Sequence, residues 1–176
     1  MSKLITHIDE KWYAVRTKFR SEKYVVEGLN LQGVTGYIPL LKKVKQYSKK
    51  KKEHFIPLIH CYVFVKVSSK NYKKIYSING VFDFVRIGGR MIPIPDDEII
   101  LMQRIVGERF DLRADVLTPV EGAPVEILAG SLTGLRGTLV KQANNNEFVV
   151  KLDHVGMNLY MNVPIEMMRV LHSMAV

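Results

Sequence analysis

The stretch 57–67, Pro-Leu-Ile-His-Cys-Tyr-Val-Phe-Val-Lys-Val, constrains the fold most strongly. It is rich in aromatic and β-branched residues, opens at a proline and is followed by serines, which predicts a strand. Because successive side chains of a strand point to opposite faces, one face would be small and apolar from Ile59 to Val67. The other face would carry large residues, namely His60, Tyr62, Phe64 and Lys66. Since a solvated sheet face is usually polar, we expect this second face to dock another macromolecule.

Composition narrows the class of protein. The chain has 176 residues, is 47% hydrophobic and carries a net charge of +9 with a pI near 9.6. It can therefore form one ordinary domain or two small ones, and its charge favours a polyanion or an acidic protein as partner. The single Cys61 rules out an internal disulfide and fits a reducing compartment. The longest apolar run, 55–67, is too short for a membrane span, so we expect a soluble, cytoplasmic protein.

The N-terminal part alternates strand-like and helix-like segments. The predicted elements are strand 11–16, a helix from Ser21 to about Gln32 ended by Gly33, strand 36–40, the strand within 57–67, helix 69–78, strand 81–87 and a helix from Pro95 to Val106. This order predicts an α+β plait, an antiparallel sheet with helices on one face. The uncovered face of such a sheet would be the docking surface.

A run of lysines lies between two of these strands, at residues 42–52. Strand-like flanks on both sides predict a basic hairpin or loop. Two interpretations stay open at this point. Lys49, Lys50, Lys51 and Lys52 contact phosphates in one of them, and in the other the run is a solvated, mobile loop.

A change of composition divides the chain. Residues 108–118 are polar and aperiodic, which predicts a linker between an N-terminal domain at 10–107 and a C-terminal domain at 119–172. The second domain consists of short strands separated by turns, as in a small all-β barrel. Four glycines are expected to mark its tight bends or close backbone contacts, namely Gly122, Gly130, Gly134 and Gly137.

Motifs in both halves resemble one family. Residues 12–16 (Trp-Tyr-Ala-Val-Arg), 57–65, 80–85 and 94–99 resemble the N-terminal domain of the NusG transcription factors, and 122–138 resembles their KOW motif. The chain is most similar to the specialised antitermination paralogues of the RfaH and UpxY type. It departs from the family at His60-Cys61, where Pro-Gly or Pro-Asn is usual.

The resemblance implies a mechanism. In this family the N-terminal domain sits across the DNA channel of RNA polymerase, with an apolar sheet face on the clamp helices of the largest subunit. The corresponding residues here are Tyr62, Phe64 and Phe84, flanked by Arg16. Binding that favours the closed, elongating form of the polymerase would increase the fraction in that form and so suppress pausing or termination. Lys18, Arg20 and Lys23 would face DNA. The KOW domain would recruit a ribosomal protein or a termination factor, and we expect a monomer without a cofactor.

Other classes of function are less favoured. A ribosome-associated or general RNA-binding KOW protein is the main alternative, because basic charge and KOW barrels occur there too. An enzyme is not expected. His60 and Cys61 would point to opposite faces of a strand and could not form a nucleophile–base pair. The sequence has neither a phosphate-binding glycine loop nor histidines at metal-ligand spacing.

Overall fold

The structure is a computed structural model that describes residues 10–47, 50–68, 70–108, 110–142 and 145–171. Contacts divide the chain into two compact units. The first comprises residues up to 39 together with 59–97, and the second comprises 40–58 together with the residues from 98 onward. Each unit is described by itself.

The chain is mainly antiparallel β-structure with two α-helices in its described part. The strands are β1 (Glu10–Thr17), β2 (Thr35–Tyr37), β3 (Leu40–Tyr47), β4 (Lys50–Pro57), β5 (Tyr62–Ser68), β6 (Val81–Phe84), β7 (Arg86–Ile87), β8 (Arg90–Met91), β9 (Leu112–Val116), β10 (Ala123–Ile127), β11 (Arg136–Gln142), β12 (Asn145–Leu152), β13 (Met157–Met161) and β14 (Met168–Val170). The helices are α1 (Glu22–Leu31) and α2 (Asp96–Val106), with 3-10 turns at Tyr72–Ser77 and Ile165–Met167.

The first unit is built on a four-stranded antiparallel sheet in the order β2-β5-β1-β6. One face of this sheet packs against α1 and the 3-10 turn at Tyr72–Ser77. The buried residues of this core are Val15, Val25, Leu29, Val63, Val65, Val67, Ile75, Ile78 and Phe84. The predicted α+β plait is confirmed.

Helix α1 begins and ends close to the predicted positions. Ser21 occupies the N-cap position, although its side chain makes no capping hydrogen bond. At the other end Gly33 adopts a φ of +71°. Its N–H bonds to the carbonyl of Asn30, and the N–H of Val34 bonds to that of Leu29. A left-handed residue that returns the chain in this way is favourable for glycine. Helix α2 begins at Asp96, one residue after the predicted start, and ends at the predicted Val106.

The stretch 57–67 is not one strand, so this part of the sequence prediction is wrong. Pro57 ends β4, the chain then turns, and β5 begins only at Tyr62. Cys61 forms the corner with a φ of 61°. Its N–H donates to the buried carboxylate of Glu22 at 2.8 Å, and its carbonyl accepts from Thr17. These bonds hold a side-chain-bearing residue in a conformation that usually selects Gly or Asn, the residue types found here in the family pattern.

The same turn contains His60, so neither His60 nor Cys61 lies in a strand. The rule that adjacent strand residues face opposite ways therefore does not apply to this pair.

In the second unit, β3 and β4 form the predicted hairpin, with Leu40 opposite Pro57 and Tyr47 opposite Lys50. The C-terminal strands form a six-stranded antiparallel sheet in the order β14-β10-β11-β12-β13-β9. The expected linker is wrong in one respect, because its residues 112–116 are strand β9, paired along its length with β13. Whether 10–107 and 119–172 are separate domains stays a prediction.

Glycines in the C-terminal sheet lie where side chains do not fit. A Cβ on Gly137 would come within 2.5 Å of the Val149 carbonyl oxygen and 2.7 Å of the Phe148 ring. Gly122 faces the Leu139 carbonyl in the same crowded way. Gly130 and Gly134 shape the turn before β11 with φ values of +81° and +83°. The expected tight bends and close backbone contacts are confirmed.

Candidate docking face and basic surfaces

The sheet of the first unit has a second face, opposite its helix-packed core. Register places Trp12, Ala14 and Arg16 of β1 directly across from Lys66, Phe64 and Tyr62 of β5. Residues opposite one another on an antiparallel ladder point to the same side. We call the face that carries these six side chains the aromatic face.

Phe64 lies at the centre of the aromatic face and is completely buried, which contradicts the expectation that it is an exposed docking residue. Its strand is central, with β2 on one side and β1 on the other. The small Ala14 is its partner on β1, and the Tyr37 ring on β2 lies 6.2 Å away. Burial also raises the pKa of the Tyr37 hydroxyl. Phe64 is therefore a packing residue.

Phe84 lies on the other side of the sheet, which is a second correction. It is directly opposite Val15 and belongs to the core beneath the helices, where it is 2% exposed. Three tyrosine rings pack edge-on against it at centroid distances of 6.0, 6.3 and 5.7 Å, those of Tyr13, Tyr72 and Tyr76. A change of register between Arg16 and Thr17 accompanies this placement.

The accessible aromatic side chain of β6 is Phe82, which the sequence interpretation missed. It is 65% exposed, and the Arg16 guanidinium lies 5.2 Å from the centre of its ring. Arg16 is itself exposed, and its cross-strand partner Tyr62 is half-buried. We call Arg16, Tyr62 and Phe82 the docking patch. The register change at Arg16, which the sequence does not signal, leaves Phe82 outside the regular alternation.

An acidic group borders the docking patch. Asp83 is paired with Arg16 in the ladder. It accepts hydrogen bonds of 2.7 Å from the Tyr76 hydroxyl and from the Phe84 N–H, and Arg86 lies 3.6 Å away. The hydrogen bond from Tyr76, above all, lowers the pKa of the Asp83 carboxyl. The carboxylate is therefore ionised at neutral pH.

The opposite end of the aromatic face is closed by local contacts. The Trp12 indole N–H donates to Asp96 at 2.9 Å, and the Lys66 ammonium lies 3.1 Å from the same carboxylate. That ammonium also lies 5.7 Å from the centre of the Trp12 ring. These groups satisfy one another, so this end offers less to a partner than the docking patch does.

The structure brings Lys18 and Arg20 together in the turn between β1 and α1, and Lys23 follows in the first turn of the helix. All three residues are exposed. The turn is held by hydrogen bonds from the Lys18 N–H to Gly80 and from the Ser21 N–H to the Lys18 carbonyl. Arg20 has a φ of 60°, and its guanidinium lies 5.0 Å from the centre of the exposed Phe19 ring. The predicted basic surface is therefore presented on a defined turn.

The second predicted basic surface is on the hairpin of β3 and β4. Lys50, Lys51 and Lys52 are exposed residues of β4, and Lys52 lies directly opposite Lys45. Lys49 lies outside the described residues. Strands β3 and β4 pair along their whole length, so the lysine run folds as the predicted hairpin.

Other kinds of site are not found in the part of the chain that the structure describes. There, no group of three or more His, Cys, Asp or Glu side chains could hold a metal ion. None of the helices among the described residues is long and apolar enough to cross a membrane.

Comparison with known proteins identifies the family. Residues 10–103 match the model of the family described as "NusG: Transcription termination factor nusG". No curated protein matches the chain. Among solved structures, NusG of Thermotoga maritima, studied for its domain interaction, is 19% identical, with a TM-score of 0.54, and the likeness covers 94% of this chain and 99% of that one. The MjSpt4:Spt5 complex in conformation B matches at 17% identity, with a TM-score of 0.32 and coverage of 92% and 97%. Because the family model covers more than half of its residues, the chain belongs to the NusG family.

Proposed function

We propose that this protein is a transcription elongation or antitermination factor that binds RNA polymerase through its N-terminal domain. The docking patch would contact the clamp helices of the largest subunit, across the DNA channel. Binding would favour the closed, elongating enzyme and so suppress pausing or termination. Membership of the NusG family supports the role in transcription elongation. The RfaH or UpxY subtype stays a prediction.

The observation that carries this proposal is the exposure of Phe82 beside Arg16. An exposed aromatic ring stacked with a guanidinium buries little and stabilises the fold by only about 0.5–1 kcal/mol. Tyr, Phe and Arg are, however, enriched at protein interfaces, where aromatic and arginine anchors dominate the binding energy. The grouping of Arg16, Tyr62 and Phe82 at the edge of the sheet therefore contributes more to binding a partner than to the stability of the fold.

Nucleic acid would be the second ligand. Lys18, Arg20 and Lys23 are exposed around a fixed turn, and they would contact DNA in the elongation complex. The hairpin lysines Lys50, Lys51 and Lys52, with Lys49 beside them in the sequence, would add to this contact. Lysine and arginine neutralise phosphates without requiring a particular base sequence.

The C-terminal sheet would act as a recruitment module. Its glycine pattern, with Gly137 against the Val149 carbonyl, supports a KOW-type domain at 119–172. We propose that it binds a second factor, such as a ribosomal protein or a termination factor, and that the protein works as a monomer in the cytoplasm, without a cofactor and without enzymatic activity.

The proposal is tested by removing the docking patch. Each aromatic anchor at an interface costs about 2 kcal/mol or more when it is cut to alanine, so Tyr62→Ala/Phe82→Ala should weaken polymerase binding about a thousandfold. Since Tyr62 is half-buried, Arg16→Ala/Phe82→Ala, which changes only exposed residues, separates binding from folding. The measurements are the affinity for core polymerase and the midpoint of thermal unfolding.

Tyr24→Ala is a matched control, because Tyr24 is a 58% exposed aromatic residue on α1. It should bind polymerase like the unchanged protein. Unaltered affinity in both docking-patch variants would refute the proposed interface. Strong binding to ribosomes or free RNA by a protein that does not bind polymerase would instead support the alternative, a ribosome-associated or RNA-binding KOW protein.

A further inference from the structure

The two faces of the β3–β4 hairpin differ in charge. Opposite residues of an antiparallel ladder share a face, and the side chains alternate along each strand. One face carries Lys43, Lys45, Lys50 and Lys52, and we call it the lysine face. The other register positions on this side are those of Leu41, Tyr47, His54 and Ile56. The other face carries Lys42, Val44, Gln46, Lys51, Glu53 and Phe55. The continuous run of basic residues in the sequence is thus divided between two surfaces.

Only the second face neutralises its own charge within the hairpin. The Lys42 ammonium lies 2.6 Å from the carboxylate of Glu53. The lysine face has no acidic residue at any of its hairpin positions. Lys43 pairs with Asp111 at 3.2 Å, from the segment after α2. Lys45, Lys50 and Lys52 are exposed, and no ion pair is found for them among the described residues.

The hairpin also places like charges directly opposite one another. Lys45 and Lys52 form a cross-strand pair. Like charges in this position destabilise a ladder, so the pair does not serve the fold of the hairpin. A bound polyanion would offset this repulsion, because both ammonium groups would be attracted to its phosphates.

The arrangement of the lysine face fits a phosphate backbone. Its ammonium groups start from two rows about 5 Å apart, with residues of a row separated by roughly 7 Å. No Arg, Asn or Gln occupies this face, so it lacks the planar side chains that hold two hydrogen-bonding groups in a fixed geometry. Lysine offers a compact point charge, which suits phosphates. Register places a single aromatic residue, Tyr47, at the end of this face opposite Lys50, whereas single strands stack on a succession of aromatic side chains. Two rows of point charges without such a succession match the two phosphate strands of a duplex better than they match a single strand.

We propose that the lysine face binds the phosphate backbone of duplex DNA without reading its sequence, and that the opposite face of the hairpin does not contact DNA. This inference rests on the proposed function only in taking DNA as the hairpin's ligand. It narrows that function, which took Lys50, Lys51 and Lys52 together as DNA contacts, because it assigns Lys51 to the face that turns away from the duplex.

A pair of double variants tests the proposal. Lys45→Gln/Lys52→Gln removes two charges from the lysine face, and Lys42→Gln/Lys51→Gln removes two from the opposite face. Binding of the full chain to a short duplex is measured over a range of salt concentrations. Each lost phosphate contact lowers the slope of log K against log salt by about 0.9, so the first variant should lose up to about 1.8 units of slope. The second should keep the slope of the unchanged protein.

The outcomes that overturn the proposal are distinct. Equal loss of slope in both variants would mean that total charge matters and not the face. No loss in either would mean that the hairpin does not bind duplex DNA. Tighter binding to single-stranded RNA of equal length, or a strong dependence on duplex sequence, would contradict the assigned ligand. Circular dichroism of both variants checks that the hairpin is folded.

Polymerase affinity of the same variants separates this inference from the proposed function. Neither double variant changes the docking patch, so both should bind core polymerase in the absence of DNA as the unchanged protein does. If the salt dependence does not change as expected but polymerase binding is intact, only the proposal that the lysine face binds duplex DNA is rejected. Absence of polymerase binding by the unchanged protein removes the proposed function itself.

Discussion

The N-terminal sheet and the β3–β4 hairpin are both antiparallel ladders of aromatic, aliphatic and basic residues, yet their side chains have opposite environments. In β5, the neighbours Val63 and Phe64 point to opposite faces, and both are completely buried. In the hairpin, residues on both faces are exposed, from Lys42 to Gln46 on β3 and from Lys50 to Glu53 on β4. Alternation along a strand thus indicates which residues share a face, but it does not indicate whether that face is covered.

The two settings also differ in the number of neighbouring elements. Strand β5 has a hydrogen-bonded strand on each side, and its Val63 face packs against α1. The hairpin is a sheet of two strands, each with one partner. Aromatic side chains in the first setting stabilise the fold, and charged side chains in the second remain available to a ligand.

The largest change in the free energy of unfolding is expected at Phe64, and it tests the difference between the sheet and the hairpin. We expect Phe64→Ala to lower the free energy of unfolding by about 3–5 kcal/mol, because it removes a fully buried ring from a packed sheet. The matched hairpin variant Phe55→Ala, at a residue that is 48% exposed, should cost less than about 1 kcal/mol. Urea unfolding of both variants measures the difference. Similar costs would show that the hairpin is packed as the sheet is.

A smaller effect is expected at the corner between the two regions. Cys61 joins the end of the hairpin to β5 with a φ of 61°, a conformation that costs a side-chain-bearing residue about 1 kcal/mol. Cys61→Gly should therefore raise the free energy of unfolding by about 1 kcal/mol and the melting temperature by about 2–4 °C. Cys61→Ala keeps the strain and is the control. A glycine variant no more stable than the alanine variant would contradict the strain.

The smallest effect is expected at Asp83, which lies half-buried on the edge strand β6 of the sheet. Its pKa is lower in the folded chain than the usual 3.8, chiefly because of the Tyr76 hydrogen bond. The stability it contributes is therefore present above pH 3.8 and is lost as the pH falls through the lower folded value. Asp83→Asn should lower the free energy of unfolding by less than about 1 kcal/mol at neutral pH, since the Tyr76–Asp83 pair is exposed to solvent. Below the folded pKa of Asp83 the substitution should have no effect. Thermal melts from pH 2 to pH 7 measure this dependence, and a difference that persists at the lowest pH would contradict it.

The sequence by itself determined the elements whose signals are local. Helix α1 ends just before Gly33, α2 ends at the predicted Val106, and the lysine run folds into a hairpin. The C-terminal glycines lie at turns and close contacts, and short motifs in the sequence indicated the family that the family model then matched. Helix caps, turn residues and the alternation of apolar and polar side chains depend on only a few neighbouring residues, so they can be recognised in the sequence alone.

Only the tertiary structure decided which surfaces are covered. It buried Phe64 and Phe84 on opposite sides of one sheet, exposed Phe82 beside a register change, and added residues 112–116, which the sequence had assigned to a linker, to a sheet as β9. Each of these outcomes depends on a partner distant in the chain. The sequence of a strand fixes its two faces, but the neighbours that remove a face from water come from elsewhere, and apolar burial depends on them.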